Sequence, residues 1–341
     1  MSDEMDINAT LQSTESTEPQ SAQTVAEQGG AKQKKGMSGG LKRLLTGLSL
    51  LAVMLFFLLY LRTICVHSFD VIGMFFVVMG GLEMYKALRK GGHNVMLAPL
   101  IVFFVSVYPL FFVLQWLNSA KGVPTNGTEG IMIATALAAS TALGIFTFRH
   151  THSLTDLGLT VLNIIYPGVF VAMIMAINLY AGDLLAILLL LAVPLLSDAG
   201  AYYVGSKFGK RKLCPAISPK KSVEGLYGGV AGALIAGAAV MLLFDVFDVF
   251  KDFNNVALHA LSDKWWLRIL LYAVLSVLVM IAGMMGDLVA SWIKRQVGIK
   301  DYGKIFPGHG GVMDRMDSVI FAMPVVYLFF TVYNAVVQAS A

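Results

Sequence analysis

Residues 266–293 read WLRILLYAVLSVLVMIAGMMGDLVASWI, an apolar stretch carrying only two charged side chains, Arg268 and Asp287. Crossing the hydrocarbon core of a bilayer takes about 20 residues of helix, so this stretch is long enough to span. It is continuously apolar, whereas a membrane β-strand alternates polar and apolar residues over roughly ten positions. The reading is therefore a helix. Eight further runs of the same kind occupy 41–61, 69–88, 96–117, 131–148, 161–180, 184–204, 226–244 and 318–338. Together they predict an all-α, polytopic integral membrane protein with nine transmembrane helices. The composition agrees, with 57% hydrophobic and 13% charged residues and a mean hydropathy of +0.72 over 341 residues. No soluble globular domain has that composition, and no nucleic-acid partner is expected.

Orientation follows from the bias of Lys and Arg toward the cytoplasmic side. Placing the cluster Lys32, Lys34, Lys35, Lys42 and Arg43 inside puts 20 of the 25 basic residues on the cytoplasmic face. Only Arg62, Lys121, Lys251, Lys264 and Arg268 stay outside. The N-terminus is then cytoplasmic and the C-terminus external. Residues 1–37, rich in Ser, Thr, Gln, Glu and Gly, have little to bury and are expected to be a disordered tail. The first apolar run is long enough to remain as an anchor rather than be removed as a signal peptide. Val246, Phe250, Phe253, Ala257 and Leu261 recur at helical spacing among acidic residues, which predicts an amphipathic helix on the outer surface, with Trp265 and Trp266 marking the boundary. Cys65 and Cys214 fall on opposite sides and cannot pair.

The chemistry concentrates where the long stretch ends. Within the 27 residues 291–317 lie Lys294, Arg295, Lys300, Asp301, Lys304, His309, Asp314, Arg315 and Asp317. Asp287 precedes Lys294 by seven residues, about 10 Å along a helix axis, which sets a carboxylate just below the cytoplasmic surface. An ionisable group at that depth is costly and faces a protein interior or a wet cavity. Ser291 stands at i+4 on the same face, so the two could share a cation, or Asp287 could pair with a basic side chain. Asp314 and Asp317 lie three apart and share a face if the last helix starts near residue 313. They can hold a hard cation such as Mg²⁺ or cap the helix. The turn Pro307–Gly311 offers unhindered N–H groups at a helix start, an arrangement suited to anions or simply a flexible loop. Gly283 and Gly286 allow a neighbouring helix to approach closely. Upstream, Lys207, Lys210, Arg211, Lys212, Lys220 and Lys221 form a basic cytoplasmic loop, and Asp198 sits at the inner end of the sixth span, where it could join a metal site or hold a lysine.

These spaced residues resemble the signature of the phosphatidate cytidylyltransferases, or CDP-diacylglycerol synthases. The resemblance rests on Ser291, Ile293, Lys294, Arg295, Lys300, Asp301, Pro307, His309, Gly310, Gly311, Asp314, Arg315 and Asp317. It is supported upstream by Asp198-x-x-Ala-Tyr-Tyr-x-Gly, Gly209-Lys210 and Ser218-Pro-Lys-Lys-Ser222-x-Glu-Gly225, with Val223 as one departure from a common aromatic. It covers residues 190–320 specifically and implies that 38–341 is a transmembrane catalytic domain whose signature segments are 197–225 and 287–317. The implied reaction is CTP plus phosphatidic acid giving CDP-diacylglycerol and pyrophosphate, at the cytoplasmic face of the cell membrane, in a homodimer. The resemblance implies Asp287, Asp314, Asp317 and Lys221 as catalytic, with Asp287, Ser291 and Asp314 holding Mg²⁺ and room for a second cation. Asp198, Lys220, Lys294, Arg295, Lys300, His309, Gly310, Gly311 and Arg315 would bind substrates. Two other readings stand beside it: a related transferase acting on a polyprenyl lipid, and a cation or proton transporter. The second fits less well, because the charges gather at one face rather than at the midplane.

Overall fold

The computed structural model describes residues 49, 52–65, 67–121, 128–181, 183–247, 249–250, 264–306 and 310–340. A short apolar helix, α1 (Ala52–Ile64), is followed by eight helices long and apolar enough to cross a membrane. These are α2 (Ser68–Lys90), α3 (Ala98–Lys121), α4 (Thr128–Arg149), α5 (Leu154–Leu179), α6 (Asp183–Phe208), α7 (Val223–Val246), α8 (Trp265–Gln296) and α9 (Met313–Ala339). Eight of the nine expected spans are therefore present. Of the other, at 41–61, the described part, 49 and 52–61, includes most of α1, whereas the tail 1–37 and most of the expected surface helix lie outside the described residues. Trp265 and Trp266 open α8, both exposed. Cys65 and Cys214 are both free thiols.

Two helix starts differ from the apolar runs for local reasons. α5 begins seven residues early because Ser153 and Asp156 form a reciprocal cap: Ser153 Oγ accepts the Asp156 N–H at 3.1 Å, and Asp156 Oδ2 accepts the Ser153 N–H at 2.9 Å. α9 begins at Met313 and takes Asp314, Arg315 and Asp317 into its first turns. The interior of α5 opens into a wider π-helical turn over Ile164–Val169, around Pro167. Proline lacks the N–H needed for a regular turn, and the widened turn absorbs the gap.

One segment is not helical. Lys212–Cys214 (β1) and Ser218–Ser222 (β2) pair antiparallel between α6 and α7, where the sequence suggested only a basic loop. Pro219 is tolerated because each strand of a two-stranded hairpin has a free edge. Ser222 then caps α7 by accepting the Gly225 N–H at 3.1 Å. The hairpin returns the chain so that α6 and α7 pack along a face of small residues. The contact is close enough that a side chain on Gly228 would collide with the carbonyl of Gly200.

The bundle has two polar ends. At one, Arg62 pairs with Asp183 and donates to Asn178 Oδ1 (3.0 Å); Asn178 Nδ2 donates to Asp70 Oδ1 (3.0 Å), and Asp70 Oδ2 lies 2.9 Å from His67 Nδ1. The network ties α1, α2, α5 and α6 together, and it satisfies the fully buried Asp70, which would otherwise be an expensive isolated charge. Glu83 lies thirteen residues further along α2, about 20 Å away along the axis. It belongs to the other end, where both signature segments converge.

Candidate active site

Small residues let α8 and α9 touch at this end. A side chain on Gly286 would run into the carbonyl oxygen of Asp317, and one on Gly283 would lie 3.1 Å from that of Ser318. This bears out the close approach expected of the two glycines. It also places Asp287 beside the first turns of α9, where Asp317 lies within electrostatic reach of Asp287, Asp198 and Lys294.

Asp287 has a cationic partner. Its Oδ2 is 2.7 Å from Lys221 Nζ, each side chain about a quarter exposed, and Lys221 also reaches the Met284 carbonyl at 3.5 Å. On the other oxygen, Ser291 Oγ donates to Asp287 Oδ1 at 3.4 Å. Lys221 is delivered by β2, so the hairpin is what brings the upstream signature segment onto α8. Asp198 Oδ2 accepts from Ser318 Oγ at 3.4 Å. Asp198, Lys220 and Lys221 line one cavity of about 190 Å³, whose other walls include Pro194, Leu226 and Met280.

Asp314 is engaged differently. It is 8% exposed. Its Oδ1 is 3.0 Å from Lys294 Nζ, and its Oδ2 accepts the N–H groups of Tyr302 (2.8 Å) and Gly311 (3.0 Å). The Tyr302 hydroxyl donates to the Ala290 carbonyl at 3.0 Å, and its ring centroid lies 5.4 Å from Lys294 Nζ. Burial, and then the charges of Asp314 and Asp317, hold the Tyr302 hydroxyl well above the usual phenol range. The Met313 N–H donates to Glu83 Oε2 at 2.9 Å, and the Val312 N–H also points at that carboxylate. The amides of Gly311, Val312 and Met313 are thus given to the protein's own carboxylates. These three amides are therefore not open to an anion, while residues 307–309 of the glycine turn lie outside the described residues. Gly310 has a left-handed backbone (φ 85°) and its carbonyl accepts the Phe306 N–H at 2.9 Å.

The structure therefore sorts the expected residues into two groups. Asp198, Lys220, Lys221, Asp287, Ser291 and Asp317 gather around the cavity and the α8–α9 contact. Asp314, Lys294, Gly310 and Gly311 organise the loop that leads into α9, where Asp314 pairs with Lys294 as Asp287 pairs with Lys221. Arg295, Lys300 and Arg315 are exposed and make no ion pair among the described residues. His309 lies outside the described residues. Three residues at this end stand outside the sequence-based expectations: Glu83, Tyr302 and Tyr166, whose hydroxyl lies 3.5 Å from the Gly286 carbonyl. Glu83 could have been found, since an acidic residue inside an apolar run is itself a flag. Among the described residues no three His, Cys, Asp or Glu side chains form a ready-made metal cluster.

An all-helical bundle that spans the membrane, with carboxylates and lysines around a cavity at one end, defines a polytopic membrane enzyme working on charged groups. The chain belongs to the cytidylyltransferase family, whose profile it matches over residues 41–333. It is 33% identical to a phosphatidate cytidylyltransferase of Staphylococcus saprophyticus over 254 residues, covering 70% of this chain and 90% of that protein. The enzyme of the same name from Staphylococcus haemolyticus is 36% identical over 58% of this chain and 68% of its own length. That of Bacillus subtilis is 37% identical over 54% of this chain and 62% of its own.

Proposed function

We propose that this protein is a phosphatidate cytidylyltransferase, which transfers CMP from CTP to phosphatidic acid and releases pyrophosphate. The observation that carries the reading is the cavity between α6, α7 and α8. Its walls are mainly apolar, with Asp198, Lys220 and Lys221 among them. Such a lining suits a phosphate head group together with the adjoining part of its lipid chains. In this reading Lys220 and Lys221 meet the phosphatidate head group, while Lys294, Arg295, Lys300 and Arg315 meet the triphosphate. A phosphate oxygen of phosphatidate forms a bond to the α-phosphorus of CTP, the bond from that phosphorus to the bridging oxygen breaks, and pyrophosphate leaves with the electron pair. The attacking oxygen is already ionised, so no general base is required. The barrier lies in bringing two anions together and in neutralising the charge that develops, which positioned cations do.

Mg²⁺ suits the donor set at Asp287 and Ser291, because Mg²⁺ is usually held by one or two carboxylates plus substrate phosphates and water rather than by an all-protein cage. When bound there it would supply charge neutralisation between phosphate oxygens. Asp317 and Asp198 add negative charge nearby and would strengthen cation binding. The basic-residue bias supports placing this end at the cytoplasm, where CTP is available.

The test follows lipid-extractable label from radiolabelled CTP, using purified protein in detergent with dioleoyl phosphatidate, with and without Mg²⁺. Metal-dependent CDP-diacylglycerol is the expected result. Absence of product from folded protein with every phosphatidate tried would overturn the reading.

A further inference from the structure

Glu83 comes from α2, in the half of the chain that carries none of the signature residues, yet its carboxylate is inserted into the signature loop. It is 5% exposed. Side chains placed on Gly303 or Gly311 would collide with its oxygens, so the loop folds around this carboxylate at two points where only hydrogen stands in place of a side chain. Its Oε2 accepts the Met313 N–H at 2.9 Å, at the positive end of the α9 dipole, where a negative charge is favoured. Its Oε1 is buried with no hydrogen-bond partner. Keeping such an oxygen unpaired in the interior is costly, and the cost is offset in part by the backbone N–H groups that the carboxylate holds in place.

Glu83 and Asp314 hold Gly311 from two sides. Asp314 accepts the Gly311 N–H, and the Glu83 carboxylate packs against the Gly311 α-carbon. The second oxygen of Asp314 holds Lys294. From this geometry we infer that Glu83 is a positioning residue for the nucleotide side of the reaction: it anchors the loop between α8 and α9, and through Asp314 it fixes where Lys294 stands. The inference rests on the cytidylyl-transfer reading for its kinetic consequence, but the anchoring itself does not.

The test compares Glu83→Ala, Glu83→Gln, Gly311→Ala and the double variant Glu83→Ala/Gly311→Ala, each purified in detergent. Glu83→Ala is expected to lower kcat by about 100-fold, the scale for a small misplacement of a catalytic constellation. It is also expected to raise the KM for CTP with little change in the KM for phosphatidate. Partial unfolding would reduce the active fraction and move neither KM. Glu83→Gln keeps an acceptor for the Met313 N–H and should recover most of the loss. Gly311→Ala should be as damaging as Glu83→Ala, and the double variant no worse than either, because removing the carboxylate makes room for the methyl group. Trypsin cleavage after Lys300 or Lys304, both exposed, should be faster in Glu83→Ala than in wild type, and this holds whatever the nucleotide. Wild-type kcat in Glu83→Ala, or losses that multiply in the double variant, would overturn the inference. If wild type makes no CDP-diacylglycerol, the cytidylyl-transfer reading fails, and the trypsin comparison alone decides the anchoring. Equal cleavage rates would overturn it.

Discussion

Lys221 and Asp287 form an ion pair at 2.7 Å between β2 and α8, joining the two signature segments at one point. The lysine therefore occupies Oδ2 of the carboxylate whose Oδ1 faces Ser291, and it would compete for the same negative charge as a cation held by Asp287 and Ser291. A cation held there would weaken this pair and leave the ammonium to meet a phosphate. Lys221→Met is expected to bind Mg²⁺ more tightly than wild type in the absence of substrate, while losing turnover by about 100-fold, as when one transition-state donor is removed. Isothermal titration with Mg²⁺ alone reads the first effect, and unchanged affinity would remove the competition.

Asp287→Asn should abolish turnover and leave the fold intact. The pair is partly exposed, so its loss costs at most about 1 kcal/mol. The expected signature is a wild-type melting temperature with product formation reduced by about 100-fold or more. Near-normal turnover would remove Asp287 from the metal assignment.

Asp314→Asn should behave differently. Asp314 and Lys294 are more deeply buried, with side chains 5% and 15% exposed, and removing one partner of a buried pair typically costs about 3–5 kcal/mol. A melting temperature lowered by several degrees together with lost activity is expected, measured by the unfolding of purified protein in detergent. A variant that is inactive yet as stable as wild type would assign Asp314 to direct chemistry instead.

Tyr302 links stability to alkaline pH. Its hydroxyl is held above the phenol range by burial and by Asp314 and Asp317, so above about pH 10 the unfolded chain releases a proton that the folded chain keeps. Proton release on unfolding makes stability fall as pH rises. Tyr302→Phe should flatten part of the decline in melting temperature above that pH, at a cost of about 1 kcal/mol near neutrality for the lost bond to Ala290.

His67 works in the opposite range. Its hydrogen bond to Asp70 raises the imidazole above its ordinary value, outweighing burial, with the Asp70 charge adding to the rise. The stabilisation is fully present below about pH 6.5 and is lost as pH climbs through the raised value. His67→Gln should remove this pH dependence of the melting temperature without changing kcat, since the residue lies at the far end of α2 from the cavity. A pH profile equal to that of wild type would show that His67 is not the titrating group.

The spans were legible because a bilayer demands continuous apolar runs, and eight of them appear where the runs lie. Asp287 and Asp198 were legible as charges at membrane boundaries, and Lys221 through the Ser-Pro-Lys-Lys stretch that carries the family resemblance. Glu83 was not used, because its partners are backbone amides at Val312 and Met313, more than 200 residues away, and backbone donors leave no mark in a sequence. The hairpin was missed for a related reason: Ser-Pro-Lys-Lys-Ser has no apolar alternation, and its pairing with Lys212–Cys214 is fixed by the ends of α6 and α7. The division of labour between Asp314 and Asp317 also depends on which way each faces, and a three-residue spacing cannot tell a loop anchor from a member of the acidic group.

The amides that open α9 are occupied by Glu83 and Asp314, which bears on how the enzyme lets go. A rigid backbone nest would grip pyrophosphate as firmly as it grips the triphosphate and would slow every cycle at its last step. In the proposed reaction, lysine and arginine side chains on rotatable stems would hold the same oxygens without that penalty, because they can follow the departing group toward water. With these amides filled from within, product escape in that reaction would fall to side-chain motion.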